Sequence, residues 1–281
     1  MDGPTILVLG SSGLLGPYLT EEAVKHGHLI TSSKSSGDFA ADLSCPQEVE
    51  RLIEVSQPDW VIHAAGYTDV DGCEKDSGRA FLENTCSVTH VASNIGADSS
   101  LVYISTDQVY PSRIGPHKED QADPINTYGR TKLDGEKEAL KHSRSLVLRT
   151  SFFGQSRTAG RLSLDDFMVS NFKKRKPFLL FSDVFFSPLH MKTLSEFIFL
   201  ALSEGLLGVF NLGSRKGLSK AEFGVLVAEH SNLDHSAAEF GLSSTVKGRA
   251  NRPLDLRLNS DKFETALGIK LPDLSKEIRR L

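Results

Sequence analysis

The sequence predicts an α/β protein with a doubly wound parallel sheet, and three observations carry that prediction. Short apolar, β-branched runs alternate with helical patterns through the first half of the chain. A glycine-rich turn follows the first of these runs directly. Small or polar residues then recur at the ends of the later runs, as at Ala64–Thr68, Ser105-Thr106 and Thr150-Ser151. Alternating β and α elements favour a parallel sheet with right-handed crossovers and helices on both faces. In such a sheet, ligands sit beyond the carboxyl ends of the strands.

Thr5–Leu9 reads as the first buried strand. Gly10-Ser-Ser-Gly13-Leu-Leu-Gly16 then leads into a helix over 14–25, where Pro17 suits a first turn because its missing N–H costs little there. His28–Ser32 is the second strand, 39–43 a short third and Gln47–Ser56 a helix. Trp60–His63 is a strand, 77–97 one long helical stretch and Leu101–Ser105 the next strand. Tyr128–His142 is a helix and Leu146–Arg149 a strand. The loop Pro111–Thr127 is rich in Pro, Gly and charge, and its length suggests an active-site wall. Beyond residue 150 the alternation breaks, with helical pieces near 164–175, 194–203 and 220–230 and a returning strand at Val209–Leu212. The expected organisation is a dinucleotide-binding domain over 1–150, joined by segments returning from about 189–213. Residues 151–281 would form mainly a smaller α/β substrate-binding lid.

The chemistry is concentrated in Leu101-Val-Tyr-Ile-Ser-Thr-Asp-Gln-Val-Tyr110 and Asn126-Thr-Tyr128-Gly-Arg-Thr-Lys132. A buried strand ends on the hydroxyl of Thr106. A helix then starts with Tyr128 and Lys132 four residues apart, on one face. A nearby cation would lower the phenol's pKa and prepare it for proton transfer. Thr106 could polarise the same carbonyl oxygen. Tyr-x-x-x-Lys alone is a weak pattern, but Tyr128 is the one tyrosine of five with Lys four positions on.

The spacing G-x-x-G-x-x-G at a strand–helix junction is a dinucleotide signature. Gly10 permits the tight turn, Gly13 allows close approach of a pyrophosphate, and the helix N-terminus supplies N–H groups and positive potential. Ser12, Leu14, Leu15 and Gly16 complete the loop. The segment Thr31-Ser-Ser-Lys34-Ser-Ser after the second strand lacks the acid that would hold a ribose diol. Its hydroxyls and Lys34 suit a 2′-phosphate, so NADPH is expected over NADH, although Lys34 could equally be a solvated loop residue.

The bulk numbers exclude other classes. At 281 residues with a net charge of −4, the chain is no general nucleic-acid binder. It has neither a signal-peptide pattern nor an apolar run long enough for a membrane span. Cys45, Cys73 and Cys86 are scattered, which suggests reduced thiols in a cytoplasmic protein. The basic run Lys173–Lys176 reads as a solvated helix end. The histidines show no metal-ligand spacing, and no metal is expected.

These residues together resemble the extended short-chain dehydrogenase/reductases, and within them the dTDP-4-dehydrorhamnose reductase branch. The resemblance runs over nearly the whole chain. It rests on the glycine loop, His63-Ala-Ala-Gly-Tyr-Thr-Asp-Val-Asp71-Gly-Cys-Glu74, Ile104–Tyr110, Tyr128–Glu136, Leu148-Arg-Thr-Ser-Phe152 and Asn251-Arg-Pro-Leu-Asp255. It implies a Rossmann-type fold and reduction of a 4-keto-6-deoxy sugar nucleotide, as in dTDP-rhamnose biosynthesis. Thr106, Tyr128 and Lys132 would be catalytic, with Lys132 also holding the nicotinamide ribose. Asp42 and Leu43 would flank adenine. Ala64, Ala65, Gly66, Thr68 and Ser105 would line the cofactor trough, and Thr106, Asp107, Phe152 and Arg252 would face substrate. Phe152 departs from the Trp common in these reductases, and Phe185-Phe186-Ser187-Pro188 departs from their usual Gly-Ser-Pro-Thr. Arg252 would meet the diphosphate or brace the carboxyl end. Oligomeric state is left open, a homodimer included.

Two rivals follow from related patterns. Nucleotide-sugar 4,6-dehydratases read Thr-Asp-Glu after this strand, but Gln108 here cannot act as a carboxylate base. The regulatory subunit of methionine adenosyltransferase retains Tyr-x-x-x-Lys, so a non-catalytic NADP-binding role is the alternative.

Overall fold

The computed structural model describes residues 3–281. Its strands are β1 (Thr5–Leu9), β2 (His28–Ser33), β3 (Phe39–Ala40), β4 (Trp60–His63), β5 (Ser100–Thr106), β6 (Ser145–Thr150), β7 (Phe152–Phe153), β8 (Phe178–Phe181), β9 (Phe185–Phe186), β10 (Leu189–His190), β11 (Gly208–Leu212), β12 (Leu218–Ser219), β13 (Ala238–Gly241) and β14 (Asp255–Leu256). The α-helices are α1 (Gly16–Ala23), α2 (Pro46–Ser56), α3 (Val70–Lys75), α4 (Ser77–Phe81), α5 (Ser87–Asn94), α6 (Thr127–Ala139), α7 (Leu164–Lys173), α8 (Met191–Ser203), α9 (Lys220–His230), α10 (Asp261–Leu267) and α11 (Leu274–Glu277).

Seven strands form one sheet in the order β11-β6-β5-β4-β1-β2-β3. Every pairing within it is parallel. Six of the strands follow the dinucleotide-binding order, which reverses between β1 and β4 and opens a crevice at their carboxyl ends. The predicted α/β doubly wound class is the observed one.

The period of two along each strand divides the core. Ile6 and Val8 point to one face, where they join Leu19 of α1 and Leu194, Ile198 and Phe199 of α8. Leu7 and Leu9 point to the other, against Val49 and Leu52 of α2 and Val88 and Val91 of α5. The late helix α8 thus packs on the opening α1, and β11 closes the sheet beside β6. A separate core in the second half gathers Phe153, Met168, Phe172, Phe186, Phe223 and Val227.

Two sequence expectations are refined. The helical stretch expected over 77–97 runs without a break from Ser77 to Asn94, with a π turn at Leu82–Cys86 between α4 and α5. Polar side chains drawn inward account for it. Asn84 Oδ1 accepts from Tyr67 N at 2.8 Å, and Thr85 Oγ1 donates to the Thr131 carbonyl at 2.9 Å. Such turns accommodate side chains that bond outside their own helix, and they recur at functional sites. The loop 111–127 is not a wall of the main cavity. It folds against the carboxyl-terminal segment, with Gly115 N donating to Asp255 Oδ2 at 2.8 Å and His117 N to the Arg257 carbonyl at 2.8 Å.

A buried ion pair joins these parts. Arg149 of β6 donates to Glu136 of α6 from Nε at 3.0 Å and Nη2 at 2.7 Å. Its Nη1 reaches the Glu119 carbonyl in the loop at 2.6 Å and the Tyr110 hydroxyl at 3.0 Å. Removing one member of a buried pair strands the other charge away from water. Glu136→Ala should therefore lower the unfolding free energy by about 3–5 kcal/mol, read from urea denaturation, whereas a loss below about 1 kcal/mol would show that water reaches Arg149.

Candidate active site

The glycine loop joins β1 to α1. Gly10 has φ +85°, and a Cβ there would lie 2.7 Å from Ala65 N, in the turn after β4. A Cβ on Gly16 would lie 2.1 Å from the Ser11 carbonyl oxygen. Neither position admits a side chain. Gly10 N and Ser11 N both donate to the Ser32 carbonyl, and Gly13 N donates to Gly10 O at 2.9 Å. The N–H groups of Ser12, Leu14 and Leu15 donate to no acceptor among the described residues. Leu15, the residue capping α1, has no side-chain cap. Unpaired N–H groups at the positive end of a helix form a cradle for a phosphate.

The cradle opens into a cavity of about 470 Å³. Gly10, Ser12, Gly13, Leu14, Leu15 and Gly16 line one side, and Lys34, Asp42 and Leu43 line the end below β2 and β3. Ala64, Ala65, Gly66 and Thr68 lie across the crevice, with Ser105, Thr106, Asp107, Tyr128, Lys132 and Phe152 at the far end. Residues from six strand ends, β1 to β6, thus meet in one space, of a size usual for ligand sites.

At the near end no acid stands on β2, as the sequence indicated. The Ser32 hydroxyl is buried there and has no hydrogen-bond partner. The fold nevertheless brings Asp42 to Lys34, Oδ2 to Nζ at 2.7 Å. Burial pushes the Asp42 carboxyl up, but hydrogen bonds from Lys34 and Ser44 outweigh it and hold the group at about 2. Arg79 and Glu83, paired at 2.8 Å, also line this end. Their positions on α4 and the π turn gave no signal in the sequence, because only the packing of that helix turns them toward the cavity.

At the far end, Tyr128 and Lys132 share the inner face of α6, which Asn126 caps by accepting from Gly129 N at 2.7 Å. The expected electrostatic coupling is corrected. Lys132 Nζ donates to the Ile104 carbonyl at 2.7 Å and lies 4.0 Å from the centre of the Tyr103 ring. Burial raises the Tyr128 pKa well above the usual phenol value, with the neighbouring Thr106 side chain opposing and Asp107 adding to the rise. The same burial lowers the Lys132 ammonium to about 7, opposed by Glu136 one turn on. Desolvation disfavours whichever form is charged, so it moves the two groups in opposite directions. Asp107 is pushed up to about 6 by burial, opposed by the neighbouring Ser151 side chain and then by the charge of Lys220, at the start of α9. The His63 ring is fully buried without hydrogen-bond partners; burial and then Lys132 lower its pKa to about 3, so it is neutral.

Two nominated residues have their polar groups committed elsewhere in the protein. Ser105 reaches the cavity, but its hydroxyl is committed to Glu136. Arg252 does not line the cavity. Its guanidinium grips Asp71 of α3 with two bonds, at 3.0 and 2.9 Å, and Asp71 also accepts from Ala250 N at 2.7 Å. Of the two roles open to it, bracing the carboxyl end is the one this geometry fits.

Comparison with known proteins agrees with this architecture. The dTDP-4-dehydrorhamnose reductase of Shigella flexneri is 28% identical over 294 residues, covering 98% of this chain and 96% of that protein. A solved dTDP-4-dehydrorhamnose reductase from Bacillus anthracis, in complex with NADP, superposes with a TM-score of 0.90 at 22% identity, over 100% of this chain and 98% of the other. A hypothetical dTDP-4-dehydrorhamnose reductase from Sulfolobus tokodaii superposes at 0.84 with 29% identity, over 97% of each chain. The family model described as the RmlD substrate binding domain matches residues 4–281, and the chain belongs to that family.

Proposed function

We propose that this protein is an NADPH-dependent reductase of a nucleoside-diphosphate 4-keto-6-deoxy sugar. The observation that carries this reading is one cavity with a phosphate cradle at one end and the Thr106, Tyr128 and Lys132 side chains at the other. The names of the full-length relatives supply the substrate class, and the solved relative in complex with NADP supplies the cofactor.

NADPH, when bound, supplies hydride to the ketone carbon. Charge then develops on the ketone oxygen and must be met by donors already in place. Tyr128 is suited to give the proton in this direction, because burial keeps its phenol protonated at neutral pH. Thr106 would donate a second hydrogen bond to that oxygen. Lys132 would hold the nicotinamide ribose, and Phe152 would form the apolar wall beside the sugar. We take 151–281, less the segments returning from about 189–213, as the substrate-binding lid.

Tyr128→Phe should preserve fold and NADPH affinity but cut turnover by about two to four orders of magnitude, the usual range for losing an acid–base group. The assay is NADPH oxidation against a panel of 4-keto-6-deoxy sugar nucleotides. Unchanged turnover in the variant would refute the mechanism. Failure of the wild type to reduce any of them while still binding NADPH would favour the regulatory alternative.

Cofactor choice is tested at the near end. A carboxylate introduced by Ser32→Asp should repel a 2′-phosphate, weakening NADPH by about tenfold or more while sparing NADH. Tighter wild-type binding of NADH than NADPH in calorimetric titration would refute the preference.

Protonation of Lys132 gives a third test. Its ammonium loses charge around pH 7 in the free protein. Hydrogen bonds to the nicotinamide ribose hydroxyls are stronger from the ammonium than from the amine, so ribose contact should return the proton, and NADPH binding should take up protons at about pH 8 and fewer at about pH 5.5, where the group is already charged. Calorimetry in buffers of different ionisation enthalpy reads the uptake, and Lys132→Met should abolish it.

A further inference from the structure

Four basic side chains line the cavity: Lys34, Arg79, Lys132 and Arg161. Three are engaged, Lys34 by Asp42, Arg79 by Glu83 and Lys132 by the Ile104 carbonyl. The Arg161 guanidinium alone makes no ion pair or hydrogen bond among the described residues. It belongs to the second half of the chain, yet it reaches a space built mainly by the first.

The segment 155–161 explains how. It is strapped to the glycine loop and α1 at three points. The Tyr18 hydroxyl donates to the Gln155 carbonyl at 2.7 Å. Arg157 stacks over the Tyr18 ring, 4.0 Å from its centre, and pairs with Glu21. Thr158 Oγ1 donates to the Gly13 carbonyl at 3.1 Å, on the loop that forms the cradle. A turn follows, with Arg161 N donating to Thr158 O at 3.2 Å and Gly160 at φ +74° reversing the chain. That turn brings Arg161, an exposed residue, to the rim of the cavity.

The cradle itself, Gly10–Gly16, contains no basic residue. Its N–H groups supply only partial positive charge, while a pyrophosphate carries a negative charge on each phosphate. A guanidinium supplies the missing full charge in a fork that matches phosphate oxygens. We propose that Arg161 is a cationic ligand of the cofactor's pyrophosphate, carried there by a strap from the substrate-binding half. The proposal rests on the dinucleotide reading of this cavity. A sugar nucleotide also carries a diphosphate, but the Thr158–Gly13 tether places the strap on the cofactor's side of the cavity.

The test is calorimetric titration of wild type, Arg161→Gln and Arg161→Lys with three ligands. Adenosine 2′-phosphate-5′-diphosphoribose carries the pyrophosphate, adenosine 2′-monophosphate lacks it, and dTDP represents the sugar nucleotide's diphosphate. Arg161→Gln should weaken the first by about tenfold and the other two by less than about twofold, with Arg161→Lys recovering part of the loss. Equal binding of the first ligand to Arg161→Gln and wild type would overturn the proposal. So would a loss confined to dTDP, or an equal loss for adenosine 2′-monophosphate. If wild type binds neither adenosine ligand, the dinucleotide reading falls and takes this proposal with it; if wild type binds both, failure of the variant to discriminate counts against Arg161 alone.

Discussion

The buried pair between Arg149 and Glu136 is the constraint on which the Tyr128 end of the cavity depends. Glu136 lies one turn beyond Lys132 on α6, and Arg149 lies on β6 beside the strand that ends in Thr106. The pair therefore fixes the helix carrying Tyr128 and Lys132 against the strand carrying Thr106. Its remaining bonds extend to Tyr110 and Glu119, and Tyr110 in turn donates to Asn211 of β11 at 2.6 Å. One guanidinium thus connects α6, β6, the loop after β5 and the returning strand. A buried charge network of this kind is costly if incomplete and geometrically demanding if complete. That demand suits a site in which donors must be aimed before charge develops.

The electrostatics of the site follow from dryness more than from pairing. A phenol and an ammonium four residues apart suggest mutual stabilisation of their charged forms. Instead each is buried enough that its neutral form is favoured, and Lys132 turns to a backbone carbonyl and an aromatic face. A neutral phenol is the state required of a proton donor. A lysine that titrates near neutrality can respond to what binds beside it.

The two halves of the chain are interleaved rather than merely adjacent. α8 and β11 come from the second half but complete the core and edge of the sheet. The strap 155–161 crosses back onto α1, and Arg252 crosses to Asp71 on α3. The strap and the Arg252 pair each join residues more than a hundred positions apart. The cavity walls are consequently held by contacts from both halves, which lets the glycine cradle and the wall that carries Phe152 be positioned as one unit.

The sequence by itself determined the parts of this protein whose physics is local. Hydrophobic runs of strand length, helical periodicity and the glycine spacing defined β1 to β6 and the α1 junction within a residue or two, except that β3 is shorter than expected and α1 begins later. The carboxyl ends of those strands indicated where the cavity would be, and all the residues nominated for it except Arg252 line it. Only the tertiary structure decided what depends on distance in space rather than in sequence. The π turn at Leu82–Cys86 exists because Asn84 and Thr85 bond to Tyr67 and Thr131, partners that no local pattern reveals. Arg252 turned to Asp71, Ser105 to Glu136 and the loop 111–127 to the carboxyl-terminal segment because buried polar groups take whichever partner the fold brings within reach. The shifts at Tyr128 and Lys132 had the sign set by burial, a property of the packed molecule that residue spacing does not encode.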